Sequence, residues 1–300
     1  MLNDYLAKES SLQQLTYSTN VVLAPHSTFG IGGQCDFFVK PFTEGALISL
    51  LSFLKKHRIP YFIMGNGSNL LFDDNGFRGC IISTKELKEM HLEQNEIEVA
   101  CGYSLIALSS FAQKNGLSGL EFACSIPATV GGAIYMNAGA YGGQMQDVIT
   151  TVRYLNENGN IATAYDHGFS YRHSIYQAKE LTVLSCKIRL KSDASDQILA
   201  RMLENKEKRK TTQPIAEKSA GSVFRREEGI IPAKLIDEAG LKGFSIGGAS
   251  VSTKHAGFII NHNNATSKDV LTLIDQIKTI VWERYGVKLV SEIRYLPSHK

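Results

Sequence analysis

Gly116–Asp147, GLSGLEFACSIPATVGGAIYMNAGAYGGQMQD, holds seven glycines, and Glu121 is its only charge before Asp147. The stretch is apolar enough to be buried. It is also too rich in glycine for an ordinary helix or strand interior, where each Gly costs about 0.5–1 kcal/mol relative to Ala. Glycine recurs where the chain needs positive φ, or where another group comes close to bare backbone. Buried main chain of this kind presents N–H groups that must find partners. A phosphate or the edge of a flat heterocycle is one such partner; the neighbouring strands of a tightly packed turn are another. Upstream, Gly65-Asn66-Gly67-Ser68-Asn69 follows the apolar run YFIM. It can form a nest of N–H groups for an anion, or simply a polar β-turn. Two such stretches in one chain shift the balance toward a ligand.

Working outward, Glu44–His57 places Leu47, Leu50, Leu51 and Leu54 on one helical face, with a basic last turn that suits the helix dipole. Residues 1–20 carry a loose helical pattern at Leu2, Tyr5, Leu12 and Leu15, which predicts a peripheral helix. Gly30, Gly32 and Gly33 predict a turn before a short strand ending at Pro41. EIEVA (96–100) alternates as a strand does, and 104–115 reads as a helix with Leu105, Leu108, Phe111 and Ala112 inward and Gly116 at its end. Asn158-Gly159 predicts a hairpin, and the segment closing at Leu190 predicts another alternating strand. A composition shift near Lys191 opens a second half. It holds a charged helix over 197–210, then a loop around Ser222 and a helix with Pro232 in its first turn and Gly240 past its end. GFIIN (257–261) reads as a buried strand. Thr266–Asp269 is a capping box for a helix with Val270, Ile274, Ile277 and Val281 inward, and VKLVSEIRYL is a closing alternating strand. The first half reads as α+β and the second as a smaller α/β unit.

Three hundred residues with 43% hydrophobic and 20% charged side chains suit one large or two medium folded domains. A net charge of +3 gives no argument for nucleic acid, and no apolar run approaches the ~20 residues of a membrane span. The N-terminal segment has no apolar signal core, so a cytoplasmic protein is expected. Five scattered cysteines, with no C-x-x-C pair, read as buried thiols in a reducing compartment and not as a metal site. Neither the P-loop pattern nor G-x-G-x-x-G occurs, which disfavours a standard nucleotide loop.

Several polar residues break their local patterns. Ser222 in SAGSVF follows a glycine that lets backbone approach a ligand; it is a proton donor or a turn cap. Glu292 in SEIRYL shares a strand face with Arg294, so a surface ion pair is the plain reading. Arg172 in SYRHSIY either stacks on a ring or clamps a carboxylate with its planar donors. The run Lys206–Lys210 is a solvated helix face or a partner for a diphosphate, and His255 beside Lys254 is a packed histidine or a ligand contact.

In combination these segments are specific. HSTFGIGGQCDFFVKP, GNGSNLLFDDNGFRGCII, GLSGLEFACSIPATVGGAIYMNAGAYGG, SYRHSIY, SAGSVF, KLIDEAGLKGFSIGGASVSTKHAGFIIN and SEIRYL occur in this order over nearly the whole chain. The chain resembles the UDP-N-acetylenolpyruvoylglucosamine reductase (MurB) family, and its short connection from Tyr176 to Leu181 is similar to the compact second type. The resemblance implies an α+β FAD-binding domain of the PCMH/MurB type over 1–193, with subdomains about 1–60 and 61–193, and an α/β substrate-binding domain over 194–300. It implies non-covalent FAD held by Gly65, Asn66, Gly67, Ser68, Asn69 and Leu70 and by Ile126, Pro127, Thr129, Gly131, Gly132, Ala133, Met136, Asn137, Gly139, Ala140 and Tyr141. NADPH would be the co-substrate and a nucleotide sugar the substrate, with Arg209, Gly221, Lys254 and His255 as substrate contacts. Hydride would pass from flavin N5 to C3 of the enolpyruvyl group. Arg172 and Glu292 would stabilise the resulting enolate, and Ser222 would protonate C2. No metal, membrane, nucleic acid or obligate protein partner is implied, and a monomer is expected.

Ser125 and Ala128 stand where the family usually has glycine, Gly257 where it has asparagine, and Arg225-Arg226-Glu227 where Lys-Asn-Pro or Gln-Arg-Pro is common. Two other readings compete: another flavoprotein with the same FAD-binding domain, and a non-catalytic nucleotide sensor. The first should lack the Ser222 and Glu292 motifs; intact Arg172, Ser222 and Glu292 argue against the second.

Overall fold

A computed structural model describes residues 1–179 and 181–298. Packing divides the chain into two compact units, each with its own apolar core. The first comprises residues 1–19, 37–66 and 80–208; the second comprises 20–36, 67–79 and 209–300. The composition shift near residue 191 therefore falls short of the packing boundary at 208/209, and two early segments pack with the C-terminal part.

The first unit contains α1 (Leu2–Ser11), α2 (Glu44–Lys56), α3 (Leu105–Lys114), α4 (Val130–Tyr135) and α5 (Ile175–Ala178), with most of α6 (Ser195–Thr212). A four-stranded sheet runs in the order Leu15–Val22, Gln34–Pro41, Phe77–Ser83, Tyr61–Met64, and its last two strands are parallel. A five-stranded antiparallel sheet has the order Ile161–Ala164, Ile149–Leu155, Thr182–Arg189, Glu96–Ala100, Met90–Glu93. The leucines of α2 and α3 enter the core as expected; Phe111 is only partly buried.

The second unit contains α7 (Pro232–Glu238) and α8 (Ser267–Tyr285). Its four-stranded sheet has the order Lys218–Ser222, Phe258–Asn261, Ala249–Val251, Ser245–Ile246, all antiparallel. Arg294–Leu296 pairs in parallel with Leu70–Phe72. The capping box at Thr266 and Asp269 is present, and Leu273 joins the four predicted apolar positions of α8 in the core. Pro232 opens α7, and Gly240 lies beyond its end at φ +73°.

The structure corrects four local expectations. The first helix stops at Ser11, and Leu15–Val22 is a strand. The β-branched and aromatic residues LTYSTNVV prefer a pleated surface to a third helical turn, and Leu12 is exposed. Thr182–Arg189 does not alternate. It sits between two other strands, and five of its residues are buried, four of them consecutive. The hairpin expected at Asn158-Gly159 does form over 149–164: Asn156 N–H bonds to Asn160 O, and Gly159 takes φ +80° in the three-residue connection. Lys218–Ser222 is a strand and not a loop. In the closing segment only Arg294–Leu296 is extended in a ladder; Ile293 and Leu296 are buried, whereas Val290 and Tyr295 are exposed.

Candidate active site

The two glycine-rich stretches meet in the first unit. Asn66 Nδ2 donates to Pro127 O at 2.9 Å, and a Cβ on Gly65 would lie 2.1 Å from Thr129 Oγ1. Only glycine fits at Gly65. Thr129 is buried and caps α4, its Oγ1 accepting from Gly132 N at 3.3 Å. Gly131 N donates to Cys101 O at 2.8 Å, and its added Cβ would meet Cys101 Cβ, also at 2.8 Å. Gly65 and Gly131 thus serve close packing of protein on protein. Gly67 differs: at φ +67° it turns the backbone, and the main-chain N–H groups of Asn66, Gly67 and Ser68 donate to no acceptor among the described residues. Three consecutive donors around a left-handed residue have the chemistry of an anion nest.

Beyond α4, Asn137 is fully buried at φ +40°. Its Nδ2 reaches Gln144 Oε1, Gln146 Oε1 and Ser170 O at 3.2, 3.1 and 3.0 Å, and its Oδ1 accepts from Gln146 N at 3.0 Å. This carboxamide is committed to the protein, so Asn137 shapes the stretch from within. Ser170 and His173 exchange both main-chain hydrogen bonds around Tyr171 and Arg172. Arg172 takes the left-handed position of this turn, at φ +54°. A non-glycine residue there costs about 1–2 kcal/mol, so neighbouring bonds must hold it. Its guanidinium lies 5.1 Å from the Tyr171 ring centre and donates to Gly139 O at 3.0 Å. Ring stacking is thus present together with a hydrogen bond from the planar donors.

The second unit carries Ser222 and Glu292. The ladder with Phe258–Asn261 slips between Ser219 and Ser222, and Gly221 adopts φ +81° within that bulge. A bulge re-aims the next side chain, here Ser222. Glu292 N–H donates to Val223 O at 2.7 Å, and Phe224 bridges Ser291. Ser222 and Glu292 are therefore on neighbouring stretches of chain, both half-buried. Asn69 Nδ2 donates to Glu292 O at 3.2 Å, and Arg294 N donates to Asn69 O at 2.9 Å, so the upstream Asn69 braces the Glu292 segment.

The remaining positions fall into two kinds. Arg209 is half-buried in the last turn of α6, and Lys254 Nζ donates to Lys210 O on the same turn. His255 Nδ1 accepts from Gly257 N at 3.1 Å, and its ring stands edge-on to Phe258; burial pushes its pKa down. A Cβ at Gly257 would press on His255 and Ala233 at 3.0 and 3.1 Å, which gives a steric reason for glycine here. Neither Ser125 nor Ala128 is in the left-handed region, so their side chains introduce no backbone strain. Gln177, Gln144 and Gln146 brace the Arg172 turn and the Asn137 loop, and sequence reasoning missed all three. Polar residues in exposed-looking segments carry no periodic signal.

Residues 35–165 match the family model "FAD binding domain", and residues 213–296 match "UDP-N-acetylenolpyruvoylglucosamine reductase, C-terminal domain". The chain is 45% identical over 277 residues to the UDP-N-acetylenolpyruvoylglucosamine reductase of Caldanaerobacter subterraneus subsp. tengcongensis, covering 92% of each protein. It belongs to the UDP-N-acetylenolpyruvoylglucosamine reductase family. The like-named protein of Anoxybacillus flavithermus is 42% identical, with 93% of each chain covered. The crystal structure of the reductase (MurB) from Thermus caldophilus superposes with a TM-score of 0.80 at 34% identity, covering 94% of this chain and 99% of that one. As a member of this reductase family the chain is an FAD-dependent oxidoreductase with an α+β FAD-binding domain. The undonated N–H run at Asn66–Ser68 fits the diphosphate of such a cofactor. All five cysteines are buried thiols outside any disulfide, and among the described residues no helix is long and apolar enough to cross a membrane.

Proposed function

We propose that this protein reduces UDP-N-acetylglucosamine enolpyruvate to UDP-N-acetylmuramate with NADPH as electron donor. FAD binding is assigned to the chain before residue 194 and substrate binding to 194–300. When bound, FAD would supply the carrier chemistry that links oxidation of NADPH to reduction of the enolpyruvyl group at C3. The main-chain N–H groups of Asn66–Ser68 would hold its diphosphate, and residues from Ile126 to Tyr141 would contribute the other contacts. Reduction at C3 drives charge onto the substrate carboxylate. The planar donors of Arg172 meet that charge, and the Glu292 carboxyl, as a protonated or hydrogen-bonding group, meets the same developing enolate. Ser222 Oγ–H then delivers a proton to C2, a step worth roughly 10²–10⁴ in rate. Arg209 and Lys254 face the nucleotide's diphosphate, with Gly221 and His255 completing the contacts. Both co-substrates are cytoplasmic compounds, so the protein acts there, and as a monomer.

The observation that carries this reading is the pairing of Ser222 and Glu292 in one unit. A glycine bulge aims the hydroxyl, and the Glu292–Val223 bond sets the carboxyl's segment beside it. A sensor with no proton to transfer has no need of either. Ser222→Ala tests the assignment: NADPH should still bleach the flavin, whereas reoxidation by the enolpyruvyl nucleotide should fall about 10²–10⁴-fold. Equal loss in both half-reactions, measured by anaerobic stopped flow, would remove Ser222 from its role.

A further inference from the structure

The turn that carries Arg172 is gripped by two carboxamides. Asn137 holds its first carbonyl, Ser170 O, at 3.0 Å. Gln177, three residues into α5, holds the other end: its Nε2 donates to Arg172 O at 3.0 Å and to Tyr135 O at 2.5 Å, with Met136 Sδ at 3.6 Å. Carbonyl oxygens only accept, so the amide must turn its NH2 toward them, and its two hydrogens match the two carbonyls. Gln177 thereby ties the main chain of Arg172 to the last residue of α4. The left-handed φ of Arg172 fixes where its side chain leaves the turn, and an unbraced arginine relaxes out of that conformation.

We propose that Gln177 is the positioning residue for Arg172: by bridging the Arg172 and Tyr135 carbonyls it sets the direction of the guanidinium. The proposal rests on the reading that Arg172 acts on the substrate carboxylate. Gln177 touches no reacting atom and works only through Arg172. Two substitutions separate its donors from its bulk. Gln177→Met keeps length and removes both donors. Gln177→Glu sets carboxylate oxygens against two carbonyls, and gains back one donor when protonated.

Anaerobic stopped flow on the FAD-loaded enzyme follows bleaching by NADPH and reoxidation by the enolpyruvyl nucleotide separately. Gln177→Met should slow reoxidation about 10- to 100-fold and bleaching less than about threefold, the scale expected for a misplaced group. Gln177→Glu should recover reoxidation as pH is lowered, relative to the unsubstituted enzyme's own profile. On an Arg172→Ala background, Gln177→Met should add nothing, because a residue acting through Arg172 has no further effect once the guanidinium is gone. Hydrogen exchange at His173 N–H, which bonds Ser170 O, should quicken in Gln177→Met whatever the turnover. Unchanged reoxidation in Gln177→Met, or a full additional loss on the Arg172→Ala background, overturns the proposal while leaving the role of Arg172 standing. If Arg172→Ala itself leaves reoxidation intact, the underlying reading falls first. Should Gln177→Met fail to fold, the pH dependence of Gln177→Glu decides alone.

Discussion

At the scale of single residues, two glycines with similar backbones serve different ends. Gly76 has φ +80°, and a Cβ there would lie 1.7 Å from Gln34 O; Gly229 has φ +73° with nothing within 4 Å of an added Cβ. Gly76→Ala combines backbone strain with a collision against main chain that cannot swing away. It should cost more than about 4 kcal/mol, the range reserved for such failures. Gly229→Ala carries the strain alone and should cost about 1–2 kcal/mol. Urea unfolding of the two variants checks the contrast; equal losses would mean that the Gln34 contact yields. Residue type also marks how far the site was legible. Ser222, Glu292 and Arg172 stood out because polar groups interrupted apolar or aromatic runs. Gln177 did not, because a carboxamide acquires its meaning from carbonyls such as that of Tyr135 on another element; Asn137 was named only through the family resemblance, as a flavin contact.

Among the elements, α8 shows local code and tertiary support acting together. Thr266 Oγ1 accepts from Asp269 N at 3.0 Å, and Asp269 Oδ2 accepts from Thr266 N at 2.9 Å. From another segment, Asp74 accepts from Ser267 N and Oγ at 2.8 and 2.7 Å, which satisfies a further N-terminal donor. Thr266→Ala should therefore lower stability by about 1 kcal/mol, within the usual 0.5–2 range, with the flavin still bound. A shift in the urea midpoint without loss of yellow colour is the expected result. The capping box was readable from four consecutive letters; Asp74 was not, being 193 residues away. The same divide explains the strands. Phe258–Asn261 announced itself by composition, whereas Lys218–Ser222 is polar and small and became a strand only through its ladder partner.

For the molecule as a whole, carboxylates and two histidines set the response to acid. Burial alone would raise the Glu121 carboxyl, but bonds from Arg201, Ser118 and Gly119 outweigh it and hold the pKa below 4.5. Main-chain N–H of Thr266 is the largest influence holding Asp269 below 3.8, ahead of an opposing desolvation. Both folded values lie below the unfolded ones, so the stability they contribute is present above about pH 4.5. It is lost as pH falls through the lowered values. The urea midpoint should begin to decline below about pH 6.5, where burial of His167 and His255 disfavours their protonated forms, and decline further below about 4.5; Glu121→Gln should make that lower part shallower. An identical decline in the variant would place the acid sensitivity elsewhere.

The α+β class and most helices were open to reading because periodicity is local. The division of the chain was not, because what packs with what is decided by ladders and cores linking distant segments. Phe29, Ile31 and Leu71 share a core with residues running from Ala220 to Ile293. During synthesis those three side chains leave the ribosome with their neighbours still untranslated, and they stay without that core until Ala220 and the residues after it have been made. The second core closes only when Arg294–Leu296 lies beside Leu70–Phe72, so this unit cannot finish folding from either end of the chain alone.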